Sequence, residues 1–275
     1  DGAYAVAVQN TSTGMKYLVA GSTGPSTASQ PVLVRYNSDG SLDTNFGTDG
    51  KRFLSSPSNG GRAFGLAVQP DGRILVAGGC AEWGGFLSRL SPDGRTLDTS
   101  FASNGVFNNP WSGPFVLLPD GSIIMSGIAN STTTKDIGLL KLTPNGMTDT
   151  SFGSGGTAVF DFGGFDGGAR LAVQSDGKIV IAGNTSSINL FSATDSLVAR
   201  VNADGSLDTT FGVSGRVVYA FSTGGDFLQG VVVQPDGNIV AAGFTTVYTT
   251  VPKSGKSGTT TVASADFLVA RFLGN

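Results

Sequence analysis

The sequence predicts an all-β fold: a five-bladed β-propeller of four-stranded antiparallel blades, one blade per copy of a repeat about 55 residues long. Three observations predict it. A β-hairpin signature recurs five times, a second Asp-rich turn signature recurs four times, and the composition suits strands and tight turns. Of 275 residues, 42 are Gly and only 13% are charged. Glu occurs once, at Glu82, in a chain that would need Ala, Leu, Glu and Lys to build helices.

The first signature is LAVQPDGRILVAGG at residues 66–79, repeated as LAVQSDGKIVIAG at 171–183 and VVVQPDGNIVAAG at 231–243. A degenerate copy, FVLLPDGSIIMSG, fills 115–127, and a copy with a longer turn fills 6–21. Each reads as strand A, a turn and strand B, because Asp-Gly or Asn-Gly between apolar runs lets the turn residues take positive φ. A short apolar strand C with a basic residue follows: VLVRYN, FLSRLS, GLLKLT, LVARVN and LVARFL. Four of these lead into turns such as DGSLDTNFGTDG and DGSLDTTFGVSG, whose aromatic falls at Phe46, Phe101, Phe152 and Phe211, and an apolar strand D closes each unit. The units span 1–56, 57–109, 110–164, 165–225 and 226–275, together one propeller domain. The chain ends after the fifth strand C. The fifth blade is therefore expected to lack its outer strand and to leave an open edge for weak self-association, the chain otherwise being monomeric.

The QPDGxIxxAG hairpin, the strand-C Arg (Arg35, Arg89, Arg200, Arg271) and the LDTxFG turn resemble the delta-60 repeat family of bacterial proteins. The third unit departs from that pattern, with Lys141 for Arg, Leu118 for Gln and Met147-Thr148 for Ser-Leu. The resemblance implies a propeller and export, and brings no established activity. Abundant Ser, Thr and Gly with low charge also fit a secreted or cell-surface protein, and a chain beginning at Asp1 is expected to have lost an upstream segment.

Residue types narrow the chemistry. The chain has no His, which removes imidazole bases, Ser-His-Asp systems and His-ligated metals. The lone Cys80 leaves no intramolecular disulfide or thiolate cluster and reads as a small packing residue. A formal net charge of −3 with no basic stripe argues against nucleic acid. No apolar run reaches the roughly 20 residues of a membrane span. Most Asp residues sit in the repeated turns, where the side chain bonds its own backbone, and the strand-C Arg is expected to pair with a turn Asp or a carbonyl.

Function is expected on the face formed by the B–C and D–A loops, because these differ in every copy. The longest, residues 244–265, reads as a mobile Thr/Ser/Gly-rich loop. Aligned through strand A, one column at the channel mouth reads Asp1, Gly61, Pro110, Asp166, Asp226, and nearby positions supply Arg62, Trp111, Tyr4, Phe64, Phe227 and Gln229. Asp1, Asp166 and Asp226 are the set that could serve acid/base hydrolysis or hold Ca²⁺; the alternative is that they cap Gly-rich loops. No other cofactor is implied. Trp83 beside Glu82, and Trp111 near Arg62, offer flat surface for stacking on sugars; blade-edge packing is the alternative for each. The resulting order is a binding module for a carbohydrate or another surface polymer, then a scaffold for a protein partner, then a carboxylate-dependent polysaccharide hydrolase or lyase.

Overall fold

A computed structural model describes all residues except 26–28, 55–60, 81–83, 110, 112, 131–133, 187–193, 223, 253–258 and 275. Every regular element among the described residues is a strand, and no helix is long and apolar enough to cross a membrane. The chain divides within its third repeat into two compact units, Asp1–Met125 with Lys141–Asp149 and Ser126–Leu140 with Thr150–Asn275.

In the first unit, β1 (Gly2–Thr11), β2 (Gly14–Thr23), β3 (Gln30–Asn37) and β4 (Lys51–Phe53) form one four-stranded sheet in sequence order. A second sheet repeats the order with β5 (Arg62–Val68), β6 (Ile74–Cys80), β7 (Gly84–Leu90) and β8 (Val106–Asn109). β9 (Phe115–Leu117) pairs antiparallel with the start of β10 (Ile123–Asn130). In the second unit, β11 (Lys135–Leu142) pairs with β12 (Thr157–Phe160). The strands β13 (Phe165–Val173), β14 (Ile179–Ser186), β15 (Asp195–Val201) and β16 (Arg216–Tyr219) continue in antiparallel order. A three-stranded sheet of β17 (Asp226–Val233), β18 (Ile239–Pro252) and β19 (Thr259–Phe272) ends the chain.

The long loop expected at 244–265 is instead a β-ribbon. β18 and β19 pair without interruption from Ile239↔Phe272 to Pro252↔Thr259. Its Thr residues give the segment the look of a loop, yet Thr is β-branched, and TTVYTTV alternating with Val and Tyr is strand-forming. The tip, 253–258, lies outside the described residues.

The repeated turns explain why the strands stop where they do. In PDG, Gly72 takes φ +84°, its N–H bonds the Gln69 carbonyl at 2.9 Å, and Asp71 Oδ1 accepts the Arg73 N–H at 3.0 Å. Asp176 and Asp236 repeat that bond. The strand-C Arg packs with the second turn. Arg35 Nε donates to Asp43 Oδ2 at 2.9 Å, and its guanidinium lies 4.7 Å from the centre of the fully buried Phe46 ring. Arg89–Asp98–Phe101 and Arg200–Asp208–Phe211 repeat the arrangement. Each Arg also reaches a carbonyl outside its own repeat, Pro92, Pro144 and Gly274 respectively. A Cβ on Gly94 would stand 2.3 Å from the Phe46 ring, so the close approach of successive repeats requires Gly there.

Among the described residues two apolar clusters stand out. Leu18, Leu33, Phe46, Ile74, Val76, Phe86 and Leu90 fill the first. Val180, Val198, Phe211, Leu228, Ile239 and Ala241 belong to the second.

Candidate functional site

Strand A carries a β-bulge at the same place in four repeats. Pairing slips between Ala3 and Ala5, Ala63 and Gly65, Gly167 and Arg170, and Leu228 and Gly230. The residues left out of register include Tyr4, Phe64 and Gln229, three of the residues expected at the channel mouth; a bulge re-aims its side chain. Tyr4 is 46% exposed, and the Arg62 guanidinium lies 5.5 Å from its ring centre, a cation–π pair. Gln229 accepts from Arg170 Nη2 at 3.2 Å through Oε1. Phe227 stacks on Phe244 with ring centres 5.0 Å apart. Trp111 is half-buried. Trp83 and Glu82 lie outside the described residues.

Each Asp of the aligned column binds the loop beside it. Asp1 Oδ1 accepts from Thr23 Oγ1 at 2.7 Å and from the Gly24 N–H at 3.2 Å. Asp226, 0% exposed, stands opposite Thr245 in the β17–β18 ladder. It accepts the Phe221 and Ser222 N–H groups on Oδ2, and the Ser222 and Thr245 hydroxyls on Oδ1. Asp166, also 0% exposed, stands opposite Thr185 and accepts the Phe162 N–H at 2.7 Å on Oδ2.

Asp166 and Asp226 nevertheless have different carboxylate neighbours. Asp166, Asp136 and Asp161 each bring one oxygen to within 4.8 Å of the others. Strand pairing makes this group. The register Ile137↔Phe160 sets Asp136, at the start of β11, against Asp161, just past β12. A parallel bridge, Lys135↔Phe165, sets Asp136 beside Asp166 on β13. Burial pushes the Asp166 carboxyl above the ordinary carboxylate range; the charges of Asp161 and Asp136 add to that, against bonds from Thr185 and the Phe162 N–H. One repeat later the same pairing, Ser196↔Tyr219, sets Asp195 against Ala220, and the Asp226 N–H bonds the Thr194 carbonyl at 2.8 Å. Burial and then the Asp226 charge raise the Asp195 carboxyl.

Beside these groups the second unit opens a cleft of about 480 Å³, whose lining includes Phe162, Thr185, Ser186, Asp195, Arg216 and Val218. The Arg216 guanidinium lies 5.6 Å from the Phe162 ring centre. Past Val218, Tyr219 and Phe221 form an exposed tilted pair with ring centres 4.6 Å apart. None of Asp136, Arg216, Tyr219 or Phe221 stands out in the sequence, because each occupies an ordinary strand or strand-end position of its repeat.

The family described as "Domain of unknown function (DUF5122) beta-propeller" matches residues 16–46, 69–101, 118–152 and 174–211. Each match ends on the buried aromatic of the turn, Phe46, Phe101, Phe152 or Phe211, and so contains the strand-C cation and its turn Asp. The chain is a β-propeller repeat protein. Among solved structures, the propeller chain is similar to a protein of unknown function from Dyadobacter fermentans. The identity is 15% and the TM-score 0.56, over 87% of this chain and 74% of that one. It is also similar to the PQQ-bound aldose sugar dehydrogenase of Streptomyces coelicolor, at 13% identity and TM-score 0.49 over 96% and 81% of the two chains. An engineered GH43 glycoside hydrolase is similar at 12% identity and TM-score 0.45, over 87% of this chain and only 46% of that one. These identities speak to the fold alone. No curated protein matches the chain.

Proposed function

We propose that this chain is a binding module of five propeller blades, of the delta-60 repeat type, exported to the cell surface or beyond. On this reading it recognises a carbohydrate or another surface polymer through the variable loop end of its repeats. The observation that carries the reading is the cleft of the second unit. There a guanidinium (Arg216), a carboxylate (Asp195) and two hydroxyls (Thr185, Ser186) line one concave surface. Sugar hydroxyls are both donors and acceptors, so they suit paired cationic and anionic partners of this kind. The exposed Tyr219–Phe221 pair supplies apolar area for a sugar face, a role also proposed for Tyr4 beside Arg62.

The test is a binding screen of the purified chain on a glycan and polysaccharide array, followed by Arg216→Ala and Asp195→Asn. Specific binding that falls at least about 10-fold in both folded variants, the loss of one good polar contact each, supports the cleft. Wild-type chain that binds nothing, or variants that bind as wild type, removes it.

A protein-interaction scaffold is the second reading. It is favoured by apolar side chains exposed on strands, Val6 at 68% on β1 and Phe267 at 81% on β19. A carboxylate hydrolase ranks third, since Asp1 and Asp226 spend their hydrogen bonds on their own loops.

A further inference from the structure

Among the described residues the repeated-turn carboxylates beside a strand-C cation are neutralised by it, whether buried (Asp43, Asp208) or partly buried (Asp98, Asp149). Asp43, Asp98 and Asp208 pair with Arg35, Arg89 and Arg200, and Asp149 with Lys141. Asp226 has no cationic partner among the described residues but accepts two N–H and two O–H donors. The group Asp136, Asp161 and Asp166 is the exception. Among the described residues no Lys or Arg pairs with any of the three. Asp136, 6% exposed, and Asp166, 0% exposed, each keep one buried oxygen, Oδ1, without a hydrogen-bond partner. Stripping water from a carboxylate oxygen and leaving it unpaired is costly, and three carboxylates together compound the cost. A cation removes both penalties at once.

We propose that Asp136, Asp161 and Asp166 hold a divalent cation, and that the cation is Ca²⁺. The donors are oxygen only, with no His or Cys to favour a softer metal. Ca–O bonds of about 2.3–2.6 Å let one ion bridge oxygens up to about 4.6–5.2 Å apart, and the three oxygens lie within 4.8 Å of one another. Mg²⁺ dehydrates reluctantly and takes one or two carboxylates with several waters, whereas this group offers three carboxylates, two of them buried. The ion ties β11, β12 and β13 together, and it anchors the Asp161–Phe162–Gly163 segment, where Gly163 N–H already bonds Asp161 Oδ1 at 2.8 Å. Phe162 and Gly163 also line the cleft. The site stands whether or not the cleft binds a sugar.

The test is calorimetric titration of the EDTA-stripped, full chain with CaCl₂ and separately with MgCl₂, together with thermal melts. Expected is one Ca²⁺ per chain and a Tm raised by about 5 °C or more at 100-fold excess over Kd, with no comparable response to Mg²⁺. Asp161→Asn changes an exposed side chain and keeps an Oδ1 that can accept the Gly163 N–H, and it is expected to weaken Ca²⁺ binding at least about 10-fold; Asp166→Asn is expected to abolish it. Folded wild-type chain that shows neither heat nor a Tm shift at millimolar Ca²⁺ overturns the site. An equal response to Mg²⁺ overturns the choice of Ca²⁺, and full Ca²⁺ binding by Asp161→Asn overturns the ligand set.

Discussion

The two strand junctions of the second unit use one backbone plan and reach opposite electrostatic states. In both, an Asp at the start of strand C (Asp136 or Asp195) stands beside an Asp of the next strand A (Asp166 or Asp226). Two of the positions that differ between the junctions bear on the carboxylates. Where the first junction has Asp161, the second has Ala220; where the first has Gly163, the second has Ser222. Ser222 brings a hydroxyl to Asp226, which together with Thr245 and two N–H groups saturates that carboxylate. Gly163 has none to bring, so Asp166 keeps an unpaired oxygen and faces two further carboxylates. A saturated carboxylate is a structural strut, and an unsaturated group of three is a seat for a cation. Repetition of the fold therefore does not repeat the chemistry.

The largest expected effect is at the strut. Asp226→Asn turns an amide NH₂ against donors that need an acceptor, and should cost about 2–4 kcal/mol of unfolding free energy. Urea unfolding with and without Ca²⁺ checks it, and the loss should be the same in both. The equivalent change at the seat, Asp166→Asn, should cost little in EDTA, because it removes a buried charge that has no counter-ion. If Asp166→Asn destabilises the EDTA form as much as Asp226→Asn does, the contrast between the junctions fails.

A smaller effect appears in the pH dependence. Asp166 is an acid whose folded-state pKa lies above its ordinary value near 3.8. The folded chain then keeps a proton that the unfolded chain releases. Stability from this group is full below the ordinary value and is lost as pH rises through the folded value. The turn aspartates act in the other direction: Asp43, Asp98 and Asp208 are held low, so their stabilisation is present above the ordinary value and lost as pH falls. In EDTA, wild type should lose stability relative to Asp166→Asn as pH rises above the ordinary carboxylate range. Ca²⁺, which binds the ionised carboxyl of wild type and not the Asp166→Asn variant, should reverse the sign of that difference. A difference that is flat with pH in EDTA would show that Asp166 is not held above its ordinary range.

The strut is more legible in the sequence than the seat, for a physical reason. Turn chemistry and packing recur with the repeat, so Arg200, Asp208 and Phe211 announce their roles by returning in step. Loop capping by Asp166 and Asp226 can be read from their place beside the glycines at 163–164 and 224–225. The group around Asp166 depends on which strand lies beside which across a repeat boundary, and on a parallel bridge from Lys135 to Phe165, 30 residues away. No local pattern encodes that neighbourhood. Asp136 looks ordinary because Asp195 and Asp266 share its position. One signal is present: Asp161 is an acid in a column that otherwise reads Ser55, Pro110 and Ala220. The ribbon at 239–272 escapes a reading by composition for another reason, since Thr-rich segments have the composition of loops and the propensity of strands.

The smallest expected effect sharpens the comparison by building the seat where the strut now stands. Ala220 is exposed and set beside Asp195 by the same register that sets Asp161 beside Asp136. Ala220→Asp with Ser222→Ala supplies the third carboxylate and withdraws the hydroxyl that occupies Asp226. The second junction then carries Asp195, a new carboxylate on the strand end opposite it, and Asp226 with one donor fewer. Calorimetry of this double variant should show a second Ca²⁺ equivalent, weaker than the first because Thr245 still engages Asp226. Ala220→Asp alone should gain little, since a saturated carboxylate has no lone pair to give. If the single change binds a second ion as well as the double one does, carboxylate number alone makes the site and the competing hydroxyl is irrelevant. If neither binds, the parallel bridge at Lys135 is what the first junction has and the second lacks.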